Sequence, residues 1–470
     1  MTKPHPQLSR PELHRAAGAF LAAAIADAMG AIFEFQEGGL FDRTFPTWVL
    51  TGHGEMRGGG SLAPGEFTDD TQMALALALS LINCGEFTSD DVWLRWQAWA
   101  SDARDVGIIT RNALGNSGHV GAAQDAHDSI GQSAGNGALM RVTPLALWCA
   151  DWSVQDLMAL AVEQSALTHF DPAAGWGAAI SAELIRRGIH GAHPIDEIDD
   201  VLSYVPQPYR DQFAAVLGAD FDPHTYQGPS NGSVWTCLAQ AIWAVRHSNS
   251  LPDTLRNAIN LGGDTDTVAC VAGGLAGSLY GIQAIPSRWL AHVNGSLRLP
   301  DDTVTFFDSA HLQDIARQLV GRHAATMSHV ETAAGPQEVA PNVFAANLAG
   351  AATAPTDWAI LSFCRTEDRF KNHINRRESY IIDESGDHNS DIMSIVTDAI
   401  DTINAFLAAG TPVVVHCHGG HSRTGLILKA WAMRQYGYSE RQAHTWLQDS
   451  WSVYEDYNTS FKEFLRTEWE

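Results

Sequence analysis

Cysteine is scarce in this chain. Six occur in 470 residues, at positions 84, 149, 237, 270, 364 and 417, and no two stand at a paired spacing. That excludes a disulfide framework and a zinc site of the usual kind, and it fits a reducing cytosol. Positive charge is scarce too. Lys and Arg number 29 against 54 Asp and Glu, a formal net charge of −25. Phosphate backbones are gripped by Lys and Arg, so nucleic acid is not expected as the main partner. The amino terminus lacks a charged-then-apolar leader. Long apolar runs are also missing: the most apolar stretch, Val268 to Ile285, is interrupted by four glycines and a tyrosine. A spanning segment needs about 20 strongly apolar residues, so a buried, tightly packed helix is expected there. The expectation is therefore a cytoplasmic protein with no membrane partner. No internal repeat occurs.

What is present is ordinary globular composition, 45% hydrophobic and 18% charged, in a chain too long for one core. Two domains are expected. The acid excess leaves room for a small phosphorylated ligand, and it suits a site gathering carboxylates around divalent cations. Residues 11–322 read as helix after helix, with apolar residues recurring at three and four: Leu13–Met29, Asp69–Ile82, Asp90–Ala100, Val154–Leu167, Asp171–Arg187, Ser233–Arg246 and Thr267–Leu279. An almost entirely α-helical domain follows. Residues 323–339 are small, polar and weakly periodic, and read as a linker. Residues 340–470 alternate strand candidates (Val343–Asn347, Trp358–Phe363, Tyr380–Ile382, Val413–His416) with helices (Ile392–Ala409, Thr424–Tyr436). That alternation predicts a small α/β domain with a largely parallel sheet.

The sharpest local signal is in the second part. Val413-Val414-Val415, a buried-strand run, passes directly into His416-Cys417-His418-Gly419-Gly420-His421-Ser422-Arg423-Thr424-Gly425 and then a helical pattern. A glycine-containing loop at a helix amino terminus turns successive amides inward and forms an anion cradle, with Gly419 and Gly420 as phosphate-binding positions. Arg423, six residues after Cys417, can fork onto two phosphate oxygens. The positive field favours the thiolate, the nucleophilic form of Cys417. This loop resembles the Cys-x5-Arg motif of protein tyrosine and dual-specificity phosphatases. The resemblance implies that Cys417 attacks phosphorus, Arg423 holds the phosphoryl group, and Thr424 assists release of the thiolate. It also implies an aspartic acid about thirty residues upstream that protonates the leaving oxygen. Asp383, 34 residues before Cys417, is favoured because it ends the strand candidate Tyr380–Ile382, with Asp387 as the second candidate. Ser422, at a place often held by glycine, and the histidines at 418 and 421 depart from the commonest pattern.

The helical part holds two acidic motifs. Phe67-Thr68-Asp69-Asp70-Thr71 opens one helix, and Gly262-Gly263-Asp264-Thr265-Asp266-Thr267 opens another. Taken singly, each can be read as helix capping. Taken together, carboxylates and threonine hydroxyls are the oxygen ligands that Mg²⁺ and Mn²⁺ prefer. The ordered set of motifs over residues 12–320 resembles the ADP-ribosylglycohydrolase family: Gly18 to Glu34, Thr68 to Thr71, Ser133 to Arg141, Thr168-His169, and Gly262 to Thr267. The resemblance implies an all-α orthogonal bundle with two divalent cations, Mg²⁺ or Mn²⁺, held by Thr68, Asp69, Asp70, Asp264, Asp266 and Thr267. It also implies that Gly135, Asn136, Gly137 and His169 line the ADP-ribose cleft. Glu34 matches a position acidic in some branches and is a candidate ligand or acid/base.

The function expected is removal of ADP-ribose from a modified protein or small acceptor, with a second, Cys-dependent phosphatase activity on a phosphorylated substrate. Three alternatives stand beside it: one domain serves only as a binding module, the helical fold is a crystallin-like structural protein, or both domains act in turn on a phosphorylated ADP-ribose metabolite.

Overall fold

The computed structural model describes residues 8–321, 332–366 and 369–469. These form two units. The first takes residues 8–47, 56–282 and 293–321, and the second takes 48–55, 283–292, 332–366 and 369–469. The residues expected as a linker lie outside the described ones at 323–331.

The first unit is a helical bundle built around one close pair. The helix Arg10–Gly30 starts with a capping box, where Ser9 N–H donates to Glu12 Oε2 at 2.7 Å and Pro11 occupies the first turn. It runs against Thr265–Tyr280, the glycine-rich stretch expected to be buried. The backbones approach until side chains no longer fit: a Cβ on Gly277 would lie 2.2 Å from Gly18 O, and one on Gly273 would lie 2.5 Å from Ala22 O. At the other end, a Cβ on Gly30 would lie 2.6 Å from Thr265 O. The pairing sets the end of the first helix beside the start of the second. Arg10–Phe33 is long and apolar enough to cross a membrane by length and composition, yet most of it is buried in the bundle. The predicted helices appear within a few residues of their expected ends, including Asp69–Cys84, Val154–Ala166, Pro172–Ile189 and Val234–Arg246.

One element of this unit departs from the helical expectation. Strands β1 (Asn294–Arg298) and β2 (Val304–Asp308) form an antiparallel hairpin. Their sequences alternate weakly, and the pairing, with Asn294 N–H also donating to Gly65 O, supplies what periodicity does not show.

The second unit contains a five-stranded sheet, order β3-β4-β7-β5-β6, where β3 is Gln337–Ala340, β4 Val343–Asn347, β5 Ala359–Ser362, β6 Arg376–Glu378 and β7 Val413–Cys417. Only β3 is antiparallel to its neighbour. β7 is central and buried on both faces. Val413, Val415 and Cys417 join the core under the helices Ile392–Ala408 and Ser422–Tyr436, and Val414 joins a smaller core with Leu348 and Phe370 on the other face. That explains its uniformly apolar sequence.

Two expectations are corrected here. Tyr380–Ile382 is not a strand; the edge strand is Arg376–Glu378, which pairs with Ile360 to Ser362. An Arg-Arg-Glu edge strand has no apolar alternation to betray it. Its centre, Arg377, is 1% exposed, spreads over the Phe406 ring at 5.0 Å and donates to Leu50 O at 2.6 Å. Strand β3 occupies the last part of the stretch read as linker, where Val339 and Ala340 are buried against β4.

Candidate active sites

In the helical unit, three segments deliver carboxylates to one place. Asp27 comes from the Arg10–Gly30 helix, Asp69 and Asp70 from the first turn of Asp69–Cys84, and Asp264 and Asp266 from the start of Thr265–Tyr280. Asp27 is fully buried and organises the first motif. One carboxylate accepts from Thr68 Oγ1 and Thr71 Oγ1, each at 2.6 Å, and from both backbone amides. The Thr68 proton is thereby directed at Asp27, leaving oxygen lone pairs of Thr68 available elsewhere. Thr267 Oγ1 donates to Asp70 Oδ2 at 3.3 Å, joining the two motifs. Carboxylate oxygens of Glu34, Asp264 and Asp266 lie within 4.8 Å of one another. The structure thus brings together all the acids the sequence pointed to, and sets Glu34 in a group able to hold a cation.

The electrostatics of this cluster are one-sided. Burial, then the charges of neighbouring acids, push Asp69, Asp70 and Asp266 well above the usual carboxylate range. Burial with Asp105, Asp264 and Asp27 pushes Glu34 up to about 7. Asp70 Oδ1 is buried and accepts no hydrogen bond among the described residues. Buried carboxylates without positive partners are expensive. A set of hard oxygen donors around an orphaned carboxylate oxygen fits one or more divalent cations held by Asp69, Asp70, Asp264, Asp266, Thr68 and Thr267, with Glu34 at the edge.

The loop Gly135–Gly137 borders this cluster. Asn136 Nδ2 donates to Asp264 Oδ2 at 2.8 Å and to Asn231 O at 3.1 Å. His169 packs on the same loop, since a Cβ on Gly137 would lie 3.1 Å from its Cε1. His169 is fully buried and pushed down to about 3 by burial and by Arg141, so its ring is neutral. Arg141 Nη2 donates to Thr168 Oγ1 at 2.8 Å, and Thr168 Oγ1 lies 2.8 Å from His169 Nδ1. Arg141 and the Thr168 hydroxyl thus hold the ring through Nδ1, with Nε2 facing the loop.

Four functional residues escaped the sequence reading. Asp27 carried a usable signal, the single acid in the alanine-rich stretch from Ala16 to Met29. Asn231 carried none: its Oδ1 accepts from Asp264 N–H, its Nδ2 donates to Gly262 O, and Gly263 at φ +73 leaves no room for a Cβ beside it. Asp105 is an exposed acid that raises both Glu34 and Asp69. Arg141 ends the Ser133 to Arg141 motif, which by itself assigns it no task.

In the second unit, Cys417 ends β7 and is 1% exposed. The loop that follows is shaped by its neighbours. Gly420 at φ +77 lies against Ala346 O, and Trp451 Nε1 donates to Gly420 O at 2.8 Å. His421 Nδ1–H donates to Val453 O at 2.6 Å, and its ring fills the space a Cβ on Gly419 would need. His416 is buried, pushed down to about 3 chiefly by burial, and bonded to Ser362 Oγ at 2.7 Å. The helix Ser422–Tyr436 begins at the loop. Arg423 Nη1 donates to Phe363 O at 3.0 Å, and Arg423 Nε lies 3.5 Å from Asp383 Oδ2. Thr424 Oγ1 is buried with no hydrogen-bond partner among the described residues.

Asp383 follows a stretch that forms no strand, so the strand-end reason for choosing it does not hold. Its carboxylate is nonetheless held in place. Tyr457 Oη donates to Asp383 Oδ2 at 2.7 Å and Asn458 Nδ2 donates to Oδ1 at 3.3 Å, which holds the carboxylate beside Arg423. Asp387 is exposed and lines a surface cavity with Ser460 and Glu463.

Comparison with known proteins agrees with both domains. The family model "ADP-ribosylglycohydrolase" matches residues 9–328, and "Dual specificity phosphatase, catalytic domain" matches residues 356–467. The chain is 33% identical over 316 residues to ADP-ribosylarginine hydrolase Tri1 of Pseudomonas putida (strain GB-1), covering 63% of this chain and 79% of the relative. It is 30% identical over 291 residues to ADP-ribosyl-[dinitrogen reductase] glycohydrolase of Rhodospirillum rubrum, covering 61% and 93%. A solved structure titled ADP-ribosylglycohydrolase-related protein complex aligns with TM-score 0.51 and 32% identity, over 66% of this chain and 99% of that one. The chain therefore belongs to the ADP-ribosylglycohydrolase family, and it joins that hydrolase to a dual-specificity phosphatase catalytic domain.

Proposed function

We propose that the helical unit is a divalent-metal-dependent hydrolase that releases ADP-ribose from modified arginine, and that the second unit is a cysteine phosphatase acting on a phosphoprotein or phosphate ester. The observation that carries the first reading is the convergence of buried acids from three segments on the partnerless Asp70 Oδ1. The arginine assignment is supported by the name of the Pseudomonas putida relative above, ADP-ribosylarginine hydrolase, and reducing surroundings by the need of Cys417 for a thiol.

In this reading the glycosidic bond from the anomeric carbon to the guanidine nitrogen breaks, and a water oxygen bonds to that carbon through an oxocarbenium-like state. Asp69, Asp70, Asp264 and Asp266, with Thr68 and Thr267, would hold the cations, which when bound would supply Lewis acidity. Glu34 or Asp105 takes the water proton, and the departing nitrogen gains one. Asn136 and His169 Nε2 orient the ribose through hydrogen bonds. In the second unit the Cys417 thiolate attacks phosphorus while the ester P–O bond breaks and Asp383 protonates the leaving oxygen. Arg423 holds the equatorial oxygens. Water then cleaves the S–P bond, inorganic phosphate leaves, the proton returns to Asp383, and Thr424 donates to the departing thiolate.

Mass spectrometry of products from ADP-ribosylated arginine and serine peptides, with Mg²⁺, with Mn²⁺ and with chelator, tests the first half. Free ADP-ribose from the arginine peptide only in the presence of metal is expected. Equal release under chelator would reject the metal centre, and release from serine alone would reject the acceptor. For the second half, Cys417→Ser should remove hydrolysis of phosphoaryl esters; normal turnover by that variant would reject the nucleophile.

A further inference from the structure

The second unit contains two segments that stand far outside the stretch matched to the phosphatase family, residues 48–55 and 283–292. They are built into it by buried polar contacts. Arg288 Nε donates to Glu55 Oε2 at 2.9 Å, with the two side chains 4% and 0% exposed, and Val49 N–H donates to Glu55 Oε1 at 2.6 Å. Ser287 donates through both N–H and Oγ to Asp398 Oδ2 on the helix Ile392–Ala408.

At the start of the second segment is Gln283, 2% exposed, whose amide is fully used on the loop 380–391. Its Nε2 donates to Tyr380 O at 3.2 Å and to Asn389 Oδ1 at 2.9 Å. Its Oε1 accepts from Ser390 Oγ and from Asp391 N–H, each at 3.2 Å. Asn389 closes the loop on itself, accepting from Ile382 N–H and donating to Ile382 O. One buried amide thus joins both ends of the loop that holds Asp383, and the next residue after Ile382 is Asp383 itself. On the other side, Gly386 N–H donates to Ser460 Oγ, and Tyr457 and Asn458 hold the carboxylate.

We propose that Gln283 is a positioning residue of the phosphatase reaction: it acts through Asn389 and the Ile382 backbone to hold Asp383 where it can protonate the leaving oxygen. The inference rests on the reading of Asp383 as the general acid. Such a task has a chemical signature. An ester with a poor leaving group, phenyl phosphate, needs the proton as its P–O bond breaks; 4-nitrophenyl phosphate, whose leaving group is stable as an anion, needs it far less. General-acid assistance contributes roughly 10²–10⁴-fold, and partial misplacement of the acid forfeits a part of that.

The experiment uses the full chain with Gln283→Met, which keeps volume and removes every hydrogen bond, and with Asn389→Leu, which loosens the loop from its other end. Each is measured alone and combined with Asp383→Asn. We expect kcat on phenyl phosphate to fall about tenfold or more in either single variant and by less than about threefold on 4-nitrophenyl phosphate. We expect no further loss when either is added to Asp383→Asn, and ADP-ribose release unchanged as a control for folding. Equal losses on both esters, or losses that add to that of Asp383→Asn, would mean a merely structural role and overturn the proposal. If Asp383→Asn itself shows no leaving-group dependence, the acid is misassigned, and the role of Gln283 falls with it.

Discussion

Several side chains here are defined by what a neighbour prevents them from doing. Asp27 receives four hydrogen bonds and so serves as the anchor of Thr68 and Thr71, whereas Asp70 next to it keeps an unsatisfied oxygen. Removing a charge from the set that faces the cation should therefore cost far more than its hydrogen bonds suggest. Asp70→Ala and Asp264→Ala are expected to lower ADP-ribose release by at least about 10²-fold, with phosphoaryl ester hydrolysis retained, as product assays on both substrates would show. Arg141 illustrates the opposite case, a buried cation whose partners are neutral. Burial pushes it down to about 9, its guanidinium lies 3.9 Å from the Trp96 ring centroid, and it donates to Gln164 and Thr168. Replacing it with Met frees the Thr168 hydroxyl and loosens its hold on His169 Nδ1. The expected result is a loss of about tenfold in kcat/KM, expressed mainly in KM, equivalent to roughly one misplaced hydrogen bond. An effect confined to kcat would show that His169 takes part in the chemical step instead.

Between elements, close approach is the device that assembles the first site. The glycines of Arg10–Gly30 and Thr265–Tyr280 permit the backbone contacts that set Asp27 beside Asp264 and Asp266. Gly277→Ala must separate the helices, because its Cβ would lie 2.2 Å from Gly18 O. A loss of about 2–3 kcal/mol is expected from such overpacking, against nearly none for Gly107→Ala, where the added Cβ meets nothing within 4 Å. Urea unfolding of both variants would measure the difference. In the second unit, Lys429 on Ser422–Tyr436 donates to Glu440 at the start of Glu440–Ser450, both 2% exposed, and Arg466 also donates to Glu440. These bonds and charges outweigh burial and lower the Glu440 carboxyl below its ordinary value of 4.5. A carboxyl lowered in the folded state contributes stability that is present above its unfolded value and disappears as pH falls through the folded one. The stability gap between the native chain and Glu440→Gln should thus be full at neutral pH and shrink below about pH 4.5, a dependence that denaturation at stepped pH would reveal.

For the whole molecule, the boundary between sequence segments is not the boundary between compact units. Residues 48–55 and 283–292 belong with the sheet, where they meet the buried Arg377 and the half-buried Asp398. A fragment of residues 332–470 leaves those groups without partners, and it should unfold at a lower temperature than the same unit in the full chain and lose most phosphatase activity. Calorimetry and an ester assay on the fragment would check this; native-like stability would show the two segments to be dispensable. The sequence by itself determined what local chemistry encodes. The Cys417–Arg423 loop, the buried β7 run, the long helices and the two acidic motifs all rest on residue types at short spacing, where periodicity, capping and anion binding act within a few residues. Only the tertiary structure decided what depends on distant partners. It paired an Arg-Arg-Glu segment as the sheet edge, where apolar patterning pointed to Tyr380–Ile382. It set the Asp383 carboxylate beside Arg423 through Tyr457 and Asn458, more than seventy residues later, and left Asp387 exposed. It brought Asp27, Asn231 and Asp105 to the acid cluster, and it placed Gln283 on the phosphatase loop. A hydrogen bond across such separations leaves no periodic trace in either segment, because its energy depends on where the fold puts both ends.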